Sequence, residues 1–555
     1  MYNLLIGGAA GQGVDTTAAV LEKLLKKAGY SVFTCRDFMS RIRGGHNFYL
    51  IRFGTKEVIS HSYNLDGIIA MDEDTVRLHT GELKADGFIL CDSNIETNDS
   101  RAIKIAMGDM AKTLGNPRVS GSIAIGVVLQ LFSESLTHIK GVLRSFVDER
   151  YLEINLKAVE AGYGSVESHH ARLQGRFGDW MILSGSSAIA LGAIAAGLKF
   201  YCAYPMSPST PIMVYLASKS REAGIVVEQA EDEIAAINMA IGASYAGARS
   251  MTATSGGGFS LMVEALGLSG MAEIPLVVVN MQRPGPATGL PTRTEQGDLK
   301  FMISASQGEF PRMVIAPRTH KDAFYQTMRA FDLAERYQIP VILLGDQYLG
   351  DASATVEPFE ISGVKTTVSD EKYSGEYLRY RFTENGISPR LVPGKSENLV
   401  AIDSDEHDEA GRITESAEVR TKMVDKRMKK LKLIERELHE PEFLGPKLFD
   451  TLLIGWGSTY GPISEAVEWL NSRDGEKYAA LVFGDVFPLP QKLLKDKAGK
   501  ARQIINVEQN ATGQLAGIIR EYTGITCSGS VLKYDGRQIT GEEIAMRIQG
   551  GDRNG

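Results

Sequence analysis

The sequence predicts an α/β protein of several domains, and three observations support this prediction. The chain has 555 residues, more than one hydrophobic core usually serves, so three or four domains are expected. Short apolar runs alternate with helical stretches along most of the chain, which is typical of a mostly parallel sheet covered by helices on both faces. The hydrophobic content of 43% and charged content of 23% are ordinary values for a globular protein.

The first alternation opens at the N-terminus. A short apolar strand, Leu4 to Ile6, precedes the glycine-rich turn GGAAGQGVDTT and an amphipathic helix that ends near Gly29. Strand, turn and helix make half of a βαβ unit. The runs FYLIRF, DGIIAM and GFILCD are predicted as further strands and SIAIGVVLQLF as an apolar helix. The polar stretch 165–178 has loop composition, so we place a first domain at residues 1–175.

A second α/β succession begins at WMILSGSSAIALGAIAAG, where strand, glycine turn and helix again follow one another. It continues through the strands GIVVEQ, SMTATSGGG and PLVVVNMQ and closes with QIPVILLGD near Asp346. From Ala352 to Thr414 the pattern becomes irregular and polar, which predicts extended loops rather than a new core. We assign residues 176–415 to this domain and its irregular extension.

Two segments complete the chain. Residues 416–446 are dense in charge, with apolar residues at helical spacing. An interdomain connecting helix is favoured there over a partner-binding helix. Residues 447–555 form a last α/β domain, with strand and loop signals in FDTLLIGWGS, LVFGDVFPLP and IINVEQNATGQL.

Charge and cysteine content exclude several classes of protein. A net charge of −8 argues against nucleic-acid binding, which needs a concentrated basic surface. The four cysteines lie far apart without a C-x-x-C pair, so we expect no disulfide framework and no metal site built by this chain alone. The N-terminus lacks the build of a signal peptide and no apolar run is long enough to cross a bilayer. We therefore expect a cytoplasmic protein without membrane contact.

The segment Tyr204–Pro211, YPMSPSTP, contains three prolines and three hydroxyl residues directly after an apolar run. Proline fixes φ and lacks an amide donor, so the segment is predicted as a stiff loop that leaves a buried strand. Ligands of open α/β sheets bind beyond the carboxyl ends of strands, so Ser207 could line a pre-organised pocket. The alternative is a helix start with Ser209 or Thr210 as N-cap and Pro211 at the first helical position.

A cluster of carboxylates follows the strand GIVVEQ, at the start of a helix rich in Ala and Gly: Glu228, Glu231, Asp232 and Glu233. The helix dipole favours negative charge there by about 0.3–1 kcal/mol, so most of these side chains are expected in water. A carboxyl that turned into a cleft would have a raised pKa. Such a group would be a good proton partner for a heterocycle.

Two further loops carry possible site residues. Gly256 to Gly258, in TATSGGGFSLM, permit close backbone approach and could receive an anion, although close packing is at least as well supported. Arg283 leaves an apolar strand and enters the loop RPGPATGLPTRTEQGDL. An arginine held by rigid backbone suits a carboxylate, and a solvated loop arginine is the equal alternative.

These segments together resemble the alpha subunits of 2-oxoacid:ferredoxin oxidoreductases. YPMSPSTP, the glutamate before IGASYAG, TATSGGGFSLM and NMQRPGPATGLPTRTEQ occur in the order of that family's thiamine diphosphate pyrimidine-binding domain, and VEQNATGQL is similar to its transketolase C-terminal-like domain. The N-terminal part, with GGAAGQGVDTT and SRIRGGHNFYLIR, looks like the family's gamma subunit, fused here. The resemblance covers essentially the whole chain. It implies oxidative decarboxylation of a 2-oxoacid with coenzyme A to acyl-CoA, CO2 and reduced ferredoxin.

The resemblance also assigns roles to residues. Glu233 matches the glutamate that binds the aminopyrimidine of thiamine diphosphate, with Glu231 as the weaker candidate. Ser207, where the family usually carries Thr, would face the substrate, and Arg283 would hold its 2-oxo carboxylate. Arg390 in GISPR matches an arginine linked to a distal carboxylate, which favours 2-oxoglutarate over pyruvate or a branched-chain 2-oxoacid. The other expected contacts are Thr288 with substrate, Tyr204, Pro205, Gly256 and Gly257 with the cofactor, and Gly11, Gly13 and Arg43 with a phosphate of coenzyme A.

The sequence departs from the family pattern at Ser186-Ser187, where Asn-Glu is frequent, and it contains no GDG motif for Mg²⁺ and diphosphate. The resemblance therefore implies a beta subunit that brings the Mg²⁺ site and a [4Fe-4S] cluster. It also implies ferredoxin as electron acceptor and a dimer of alpha–beta units. For the N-terminal glycines, a structural turn with an interface loop is an equal interpretation. A non-catalytic nucleotide-binding or scaffold homologue is the alternative for the whole chain.

Overall fold

The protein is described by a computed structural model that covers residues 1–39, 45–361 and 376–550. Its contacts divide it into two compact units. The first unit consists of Met1–Ser184 and Asp351–Pro358, and the second of Gly185–Gly350 and Phe359–Gly555.

The strands, numbered along the chain, are β1 (Tyr2–Ala9), β2 (Ser31–Asp37), β3 (His46–Gly54), β4 (Leu65–Ala70), β5 (Leu83–Asp92), β6 (Ala102–Ile105), β7 (Met181–Ser184), β8 (Phe200–Ala203), β9 (Val226–Gln229), β10 (Ser250–Thr254), β11 (Leu276–Gln282), β12 (Met313–Ile315), β13 (Pro340–Asp346), β14 (Ser353–Val356), β15 (Glu442–Leu444), β16 (Thr451–Trp456), β17 (Tyr478–Phe483), β18 (Asp485–Phe487), β19 (Gln503–Glu508) and β20 (Gly529–Leu532).

The α-helices are α1 (Val14–Lys27), α2 (Glu73–His79), α3 (Met107–Thr113), α4 (Ser120–Leu131), α5 (Ile139–Leu143), α6 (Glu149–Tyr163), α7 (Gly185–Ala195), α8 (Thr210–Ala223), α9 (Glu233–Tyr245), α10 (Gly256–Met271), α11 (Leu299–Ser304), α12 (His320–Tyr337), α13 (Gln347–Asp351), α14 (Ala417–Ile434), α15 (Tyr460–Asp474), α16 (Lys492–Ala498), α17 (Gln514–Thr523) and α18 (Gly541–Gly550). None of the helices in the described ranges is both long and apolar enough to cross a bilayer.

The first unit is built on a mixed eight-stranded sheet with the order β6-β5-β4-β1-β3-β2-β14-β7. The β1–β4, β4–β5 and β5–β6 pairs are parallel, whereas β3 pairs antiparallel with both β1 and β2. Helices α1, α4 and α6 bury their apolar residues against one face of this sheet. The N-terminal α/β succession predicted from the sequence is therefore present, with a more mixed sheet than its pattern indicated.

Two strands of this sheet correct the sequence interpretation. The run WMIL was predicted to open the second succession, but β7 pairs antiparallel with β14, and β14 pairs with β2. β14 also lies in the stretch from Ala352 to Thr414 that was predicted as loops. A hydrophobic run indicates that a strand exists but not which partner it finds, and four residues are too few to show a clear alternation.

The second unit contains a seven-stranded sheet with the order β18-β12-β13-β11-β10-β8-β9 and a five-stranded sheet with the order β15-β17-β16-β19-β20. The seven-stranded sheet is parallel apart from the antiparallel β12–β18 pair. One core contains Val278 and Phe259 beside the first sheet together with Leu481 and Trp456 of the second. The C-terminal α/β domain therefore shares an apolar core with the sheet that precedes it and contributes its edge strand.

The charged helix predicted within residues 416–446 is α14, and some of its polar residues are buried. Lys426 and Lys430 are almost fully buried, and both ammonium groups contact the carboxylate of Glu273. Burial alone would raise the pKa of Glu273, but the two lysines hold it well below its usual range. The sequence favoured an interdomain connecting helix here, and a buried charge cluster fixes α14 in place.

Candidate active site

The loop YPMSPSTP joins β8 to α8, as the stiff-loop interpretation predicts. Ser209 occupies the N-cap position of α8, but its hydroxyl donates to the carbonyl of Met206 at 2.7 Å instead of capping the helix. The loop therefore closes on itself through Ser209. Ser207 is exposed, and its carbonyl accepts a hydrogen bond from Nη1 of Arg283 at 2.7 Å. The structure thus brings Ser207 and Arg283 together.

Glu233 is the buried member of the carboxylate cluster. The Asp232 side chain caps α9 by accepting a hydrogen bond from the amide of Ala235 at 2.7 Å, so that Glu233 is the first helical residue. Only 3% of Glu233 is exposed, and Oε1 has no hydrogen-bond partner in the part of the chain that the structure describes. Glu228 and Glu231 are exposed. A buried, unpartnered carboxylate oxygen costs free energy and needs a donor.

The three glycines at the start of α10 make room for this carboxylate and for a second one. A Cβ on Gly258 would lie 2.5 Å from Oε1 of Glu233 and 2.1 Å from Oγ1 of Thr254. A Cβ on Gly256 would lie 2.5 Å from Oδ2 of Asp298. Successive helical residues point about 100° apart, so the two carboxylates approach the first turn of α10 from different sides. Close approach is therefore why glycine is needed here.

The loop after Arg283 passes over the same helical turn. A Cβ on Gly257 would lie 3.8 Å from the carbonyl of Ala287, and the adjacent Thr288 is exposed. Burial lowers the pKa of Arg283, and its guanidinium has no carboxylate partner among the described residues. Tyr204 and Pro205 follow β8 directly and precede Ser207 in the same loop.

Asp298 lies against the first turn of α10, which the sequence interpretation missed, and Glu295 precedes it by three positions. The side-chain amide of Asn280 donates to Oδ2 of Asp298 at 3.0 Å, and the Asp298 amide donates to Gln282 at 2.9 Å. Burial raises the pKa of Asp298, and burial together with the Asp298 charge raises the pKa of Glu295 to about 7. The run of three glycines could have indicated bulky groups close to the backbone, but not which ones.

Arg390 is not brought to this site. Its Nη1 pairs with Glu335 at 2.5 Å, and its Nη2 donates to the carbonyl of Ser244 at 2.6 Å. Ser244 is near the C-terminal end of α9, whereas Glu233 begins that helix, a separation of about 16 Å at 1.5 Å per residue. The resemblance implied that Arg390 contacts a distal carboxylate of the substrate. This position does not fit that role, because the guanidinium is buried and already paired.

The N-terminal glycine turn forms a separate candidate site in the first unit. Gly11 and Gly13 have φ angles of 97° and 81°, and a Cβ on either would meet nothing within 4 Å. A cavity of about 680 Å³ opens beside Gly13, and Arg118 and Arg150 contribute to its lining. Arg43, the third expected residue of this site, lies outside the described residues.

The segment VEQNATGQL of the C-terminal domain holds a buried carboxylate that is fully satisfied. Glu508 accepts hydrogen bonds from the indole of Trp456, from the side chains of Asn506 and Asn510, and from the amides of Leu515 and Ala516. The carboxylate therefore caps α17 and ties it to β16, so this motif has a structural role.

Comparisons with known proteins give a consistent result. The family described as "Pyruvate flavodoxin/ferredoxin oxidoreductase, thiamine diP-bdg" matches residues 191–426, and "Pyruvate ferredoxin/flavodoxin oxidoreductase" matches residues 3–165. The 2-oxoacid:ferredoxin oxidoreductase subunit alpha of Sulfolobus sp. is 33% identical, over 97% of this chain and 95% of its own length. The 2-oxoglutarate oxidoreductase subunit KorA of Mycobacterium tuberculosis is 28% identical, over 98% and 90%.

A solved structure that covers 99% of this chain is among the similar proteins. It is 2-oxoglutarate:ferredoxin oxidoreductase from Magnetococcus marinus with 2-oxoglutarate, coenzyme A and succinyl-CoA bound. Its TM-score is 0.93 at 30% identity, and 99% of each chain is covered.

Proposed function

Because the chain belongs to the 2-oxoacid:ferredoxin oxidoreductase family as an alpha subunit with the gamma domain fused at its N-terminus, we propose that it catalyses oxidative decarboxylation together with a beta subunit. The substrates are a 2-oxoacid and coenzyme A, and the products are acyl-CoA, CO2 and reduced ferredoxin. The observation that carries this proposal is the buried carboxylate of Glu233, which has no partner for Oε1 among the described residues.

The residues around Glu233 fit the aminopyrimidine of thiamine diphosphate. Oε1 is an orphaned acceptor beside the glycine turn of α10, where Gly258 leaves space that a side chain would fill. A ring nitrogen that carries a proton would satisfy this oxygen. Thiamine diphosphate, when bound, supplies the nucleophilic carbon that decarboxylation of a 2-oxoacid requires. Glu233 would hold the proton at the ring nitrogen, and Tyr204, Pro205, Gly256 and Gly257 would form the surrounding wall.

Arg283 is the residue that would hold the carboxylate of the 2-oxoacid. Its guanidinium is partly buried and is anchored by the Ser207 carbonyl at 2.7 Å, which leaves further N–H donors for a bidentate contact. Ser207 and Thr288 would contact the substrate from the two flanking loops. We favour 2-oxoglutarate because relatives bear that substrate in their names and one solved relative binds it. Pyruvate and branched-chain 2-oxoacids are the alternatives.

A beta subunit would complete the site by bringing Mg²⁺, the diphosphate contacts and a [4Fe-4S] cluster. The relatives are named as alpha subunits, which implies a complex of several subunits. On α9 and α10, which begin at Glu233 and Gly256, the large apolar side chains of Ile234, Met239 and Leu261 are 40–51% exposed, and exposed apolar side chains grouped on neighbouring helices are typical of an interface. We infer that this face of α9 and α10 contacts the beta subunit, in a dimer of alpha–beta units that reduces ferredoxin.

Coenzyme A would bind in the first unit through the glycine turn. Gly11 and Gly13 leave the backbone amides at the start of α1 open to a phosphate. Arg118 and Arg150 in the adjoining cavity add positive charge, and Arg43 is a further expected contact.

The complex reconstituted with its beta subunit tests the proposed function. We expect reduction of a viologen dye that depends on both a 2-oxoacid and coenzyme A, and a panel of 2-oxoacids identifies the substrate. No reduction with any 2-oxoacid would contradict the proposal. Calorimetric titration of the isolated chain with NAD, coenzyme A and thiamine diphosphate tests the scaffold alternative, which predicts nucleotide binding without activity in the complex.

Substitution Glu233→Gln tests the assigned role of Glu233. Because an amide accepts a proton poorly, we expect turnover to fall by about 10²–10⁴-fold, the usual contribution of a positioned acid–base group. Assembly with the beta subunit, measured by size-exclusion chromatography, should be retained. Glu231→Gln is the matched control, since Glu231 is exposed two residues earlier. Near-normal turnover of Glu233→Gln would refute the assignment.

A further inference from the structure

The hydroxyl group of Thr254 lies beside the carboxylate of Glu233. Oγ1 of Thr254 and Oε1 of Glu233 both lie within 2.5 Å of one point, the position that a Cβ on Gly258 would occupy. Thr254 is fully buried, and Glu233 is 3% exposed. The two oxygen atoms are therefore neighbours in a buried space that the missing side chain of Gly258 leaves open.

The backbone explains why Thr254 is directed to this place. Thr254 is the last residue of β10, and α10 begins two residues later at Gly256. Successive side chains of an extended chain point to opposite faces. Ser255, with φ and ψ of −123° and 173°, is therefore directed to the other face. Thr252 shares the face of Thr254 but lies about 7 Å further back along the strand. Of these three hydroxyl groups, that of Thr254 reaches the carboxylate.

The proton of the Thr254 hydroxyl is held only by weak acceptors. Oγ1 donates to Sδ of Met206 at 3.9 Å and to the carbonyl of Ser255 at 3.4 Å. A thioether is a weak acceptor, and 3.4 Å is well beyond the usual length of an O–H···O hydrogen bond. An ionised carboxylate is a stronger acceptor than either group. A hydrogen bond to Glu233 would therefore replace contacts that contribute little.

The other polar groups next to Glu233 already have acceptors. Asn280 is the register partner of Thr254 on β11, and its side-chain amide donates to a different carboxylate at 3.0 Å. The amide of Ala235, in the first turn of α9, donates to the capping aspartate at 2.7 Å. Oε1 of Glu233 has no partner in the part of the chain that the structure describes. Among these neighbours, the Thr254 hydroxyl is the donor that remains for it.

We propose that Thr254 is a positioning residue for Glu233: its hydroxyl donates to Oε1 and fixes the carboxylate in the orientation that holds the ring proton of thiamine diphosphate. The terminal torsion of a glutamate side chain is broad, so the carboxylate turns to the hydroxyl without a change of backbone. A carboxylate has about four acceptor positions on its two oxygens, so this bond leaves room for the ring. The inference rests on the proposed function, because it adds a residue to the same site.

Thr254→Val tests the proposal, because it removes the hydroxyl and keeps the shape of the side chain. The complete complex, depleted of cofactor, is titrated with thiamine diphosphate and Mg²⁺ in a calorimeter. We expect the dissociation constant of the cofactor to rise about tenfold, as loss of a hydrogen bond to a charged group requires. In the reloaded complex, kcat should fall by a similar factor. KM for the 2-oxoacid should stay in place, because Thr254 is buried behind Glu233 and acts through it.

Two further variants separate the hydroxyl from the packing of the side chain. Thr254→Ser keeps the hydroxyl and should restore both the dissociation constant and kcat. Thr252→Val is the matched control, since Thr252 lies on the same strand and face, is fully buried and has an Oγ1 without a partner among the described residues. It should bind the cofactor as the wild type does. Failure of Thr254→Ser to restore binding would overturn the proposal.

A double-mutant cycle shows whether Thr254 acts through Glu233. In a complex that carries Glu233→Ala, the additional change Thr254→Val should alter the dissociation constant by less than about twofold, since independent sites are additive within that range and coupled ones are not. A full tenfold effect in that background would assign Thr254 a packing role and overturn the proposal, as would an unchanged dissociation constant in Thr254→Val alone. Each of these results leaves cofactor binding and dye reduction by the wild type intact. Failure of the proposed function would remove both from the wild type.

Discussion

At the residue scale, the site depends on the glycines at the start of α10 as much as on the carboxylates that pack against them. Gly256 and Gly258 lie at the start of α10. The missing side chain leaves room for the Asp298 carboxylate at Gly256 and for the Glu233 carboxylate at Gly258. A Cβ at either position would lie 2.5 Å from a carboxylate oxygen, which is closer than real Cβ atoms approach, so an alanine there must displace the carboxylate. The positions of the Glu233 and Asp298 carboxylates therefore depend on two glycines, Gly258 and Gly256, which have no reactive side chain.

Gly258→Ala should remove most of the turnover, although it replaces no ionisable side chain. The new methyl would lie 2.5 Å from Oε1 of Glu233, so the carboxylate must move, and a displacement of about 1 Å can cost about 100-fold in rate. Steady-state dye reduction by the complex measures the loss.

Gly141→Ala is the control for this substitution. Gly141 lies in α5, where a Cβ would meet nothing within 4 Å, so alanine should keep activity and stabilise the helix by about 0.4–1 kcal/mol. Equal activity of the two variants would show that the close approach at Gly258 has no catalytic consequence.

At the element scale, α14 shows how a helix of charged residues can be part of a core. Lys426 and Lys430, one helical turn apart, meet the carboxylate of Glu273, and Arg379 donates to the Glu273 carbonyl at 2.7 Å. Glu273 follows α10, so the cluster joins the far end of that helix to the segment after residue 376. Two lysines share one carboxylate in a buried place, where an excess of positive charge is costly.

Lys430→Met should change how stability depends on pH. Burial, partly offset by Glu273, lowers the pKa of Lys430 to about 8 from its ordinary 10.5. Between these values the unfolded chain binds more protons than the folded one, so this lysine makes stability rise with pH by up to about 1.4 kcal/mol per unit. The destabilisation caused by burying the charged form of Lys430 is absent above pH 10.5 and is fully present below pH 8.

Thermal unfolding at pH 7.5 and pH 10 measures this effect. The melting temperature of the wild type, relative to Lys430→Met, should be higher at pH 10 than at pH 7.5. Lys432→Met, at an exposed position of the same helix, should follow the wild type at both values. If the two variants respond alike, Lys430 does not titrate in this range.

At the scale of the whole molecule, the second unit is stabilised by contacts between its two sheets. β18 of the C-terminal domain adds an edge strand to the seven-stranded sheet. Asp485, at the start of that strand, binds Nη1 and Nη2 of Arg329 at 2.6 and 2.8 Å and accepts the amide of His439 at 2.7 Å. A bidentate ion pair thus fixes α12 to the C-terminal domain.

Asp485→Ala should destabilise the protein strongly. The substitution leaves the guanidinium of Arg329 without its main partner in a largely buried place, which costs about 3–5 kcal/mol. Urea-induced unfolding followed by fluorescence measures the loss. Asp496→Ala removes an exposed carboxylate that pairs with Lys500, and such pairs contribute about 0–1 kcal/mol. A small effect at Asp485 would mean that the core alone joins the two sheets.

Much of the fold could be predicted because it depends on local patterns. The strands β1, β11 and β13 each contain a short apolar run, at residues 4–6, 276–279 and 341–344, and α1 and α9 follow a glycine and an aspartate, respectively. The partners of short strands could not be predicted: β7 and β14 are four residues each and pair across about 170 positions of sequence. Strand pairing at that separation depends on the packing of the whole unit, which a local window does not contain.

The sequence by itself determined the order of most elements, the family, the loops that carry Ser207 and Arg283 and the helix start that carries Glu233, because hydrophobic period, proline and glycine act within a few residues. Only the tertiary structure decided which carboxylate among residues 228–233 is buried. It also decided that Asp298 lies against the first turn of α10 and that Arg390 is already paired with Glu335. Burial and the distance between charges depend on residues far apart in the chain. These quantities set pKa values and hydrogen bonding, so the chemistry of the site is settled only when the chain is folded.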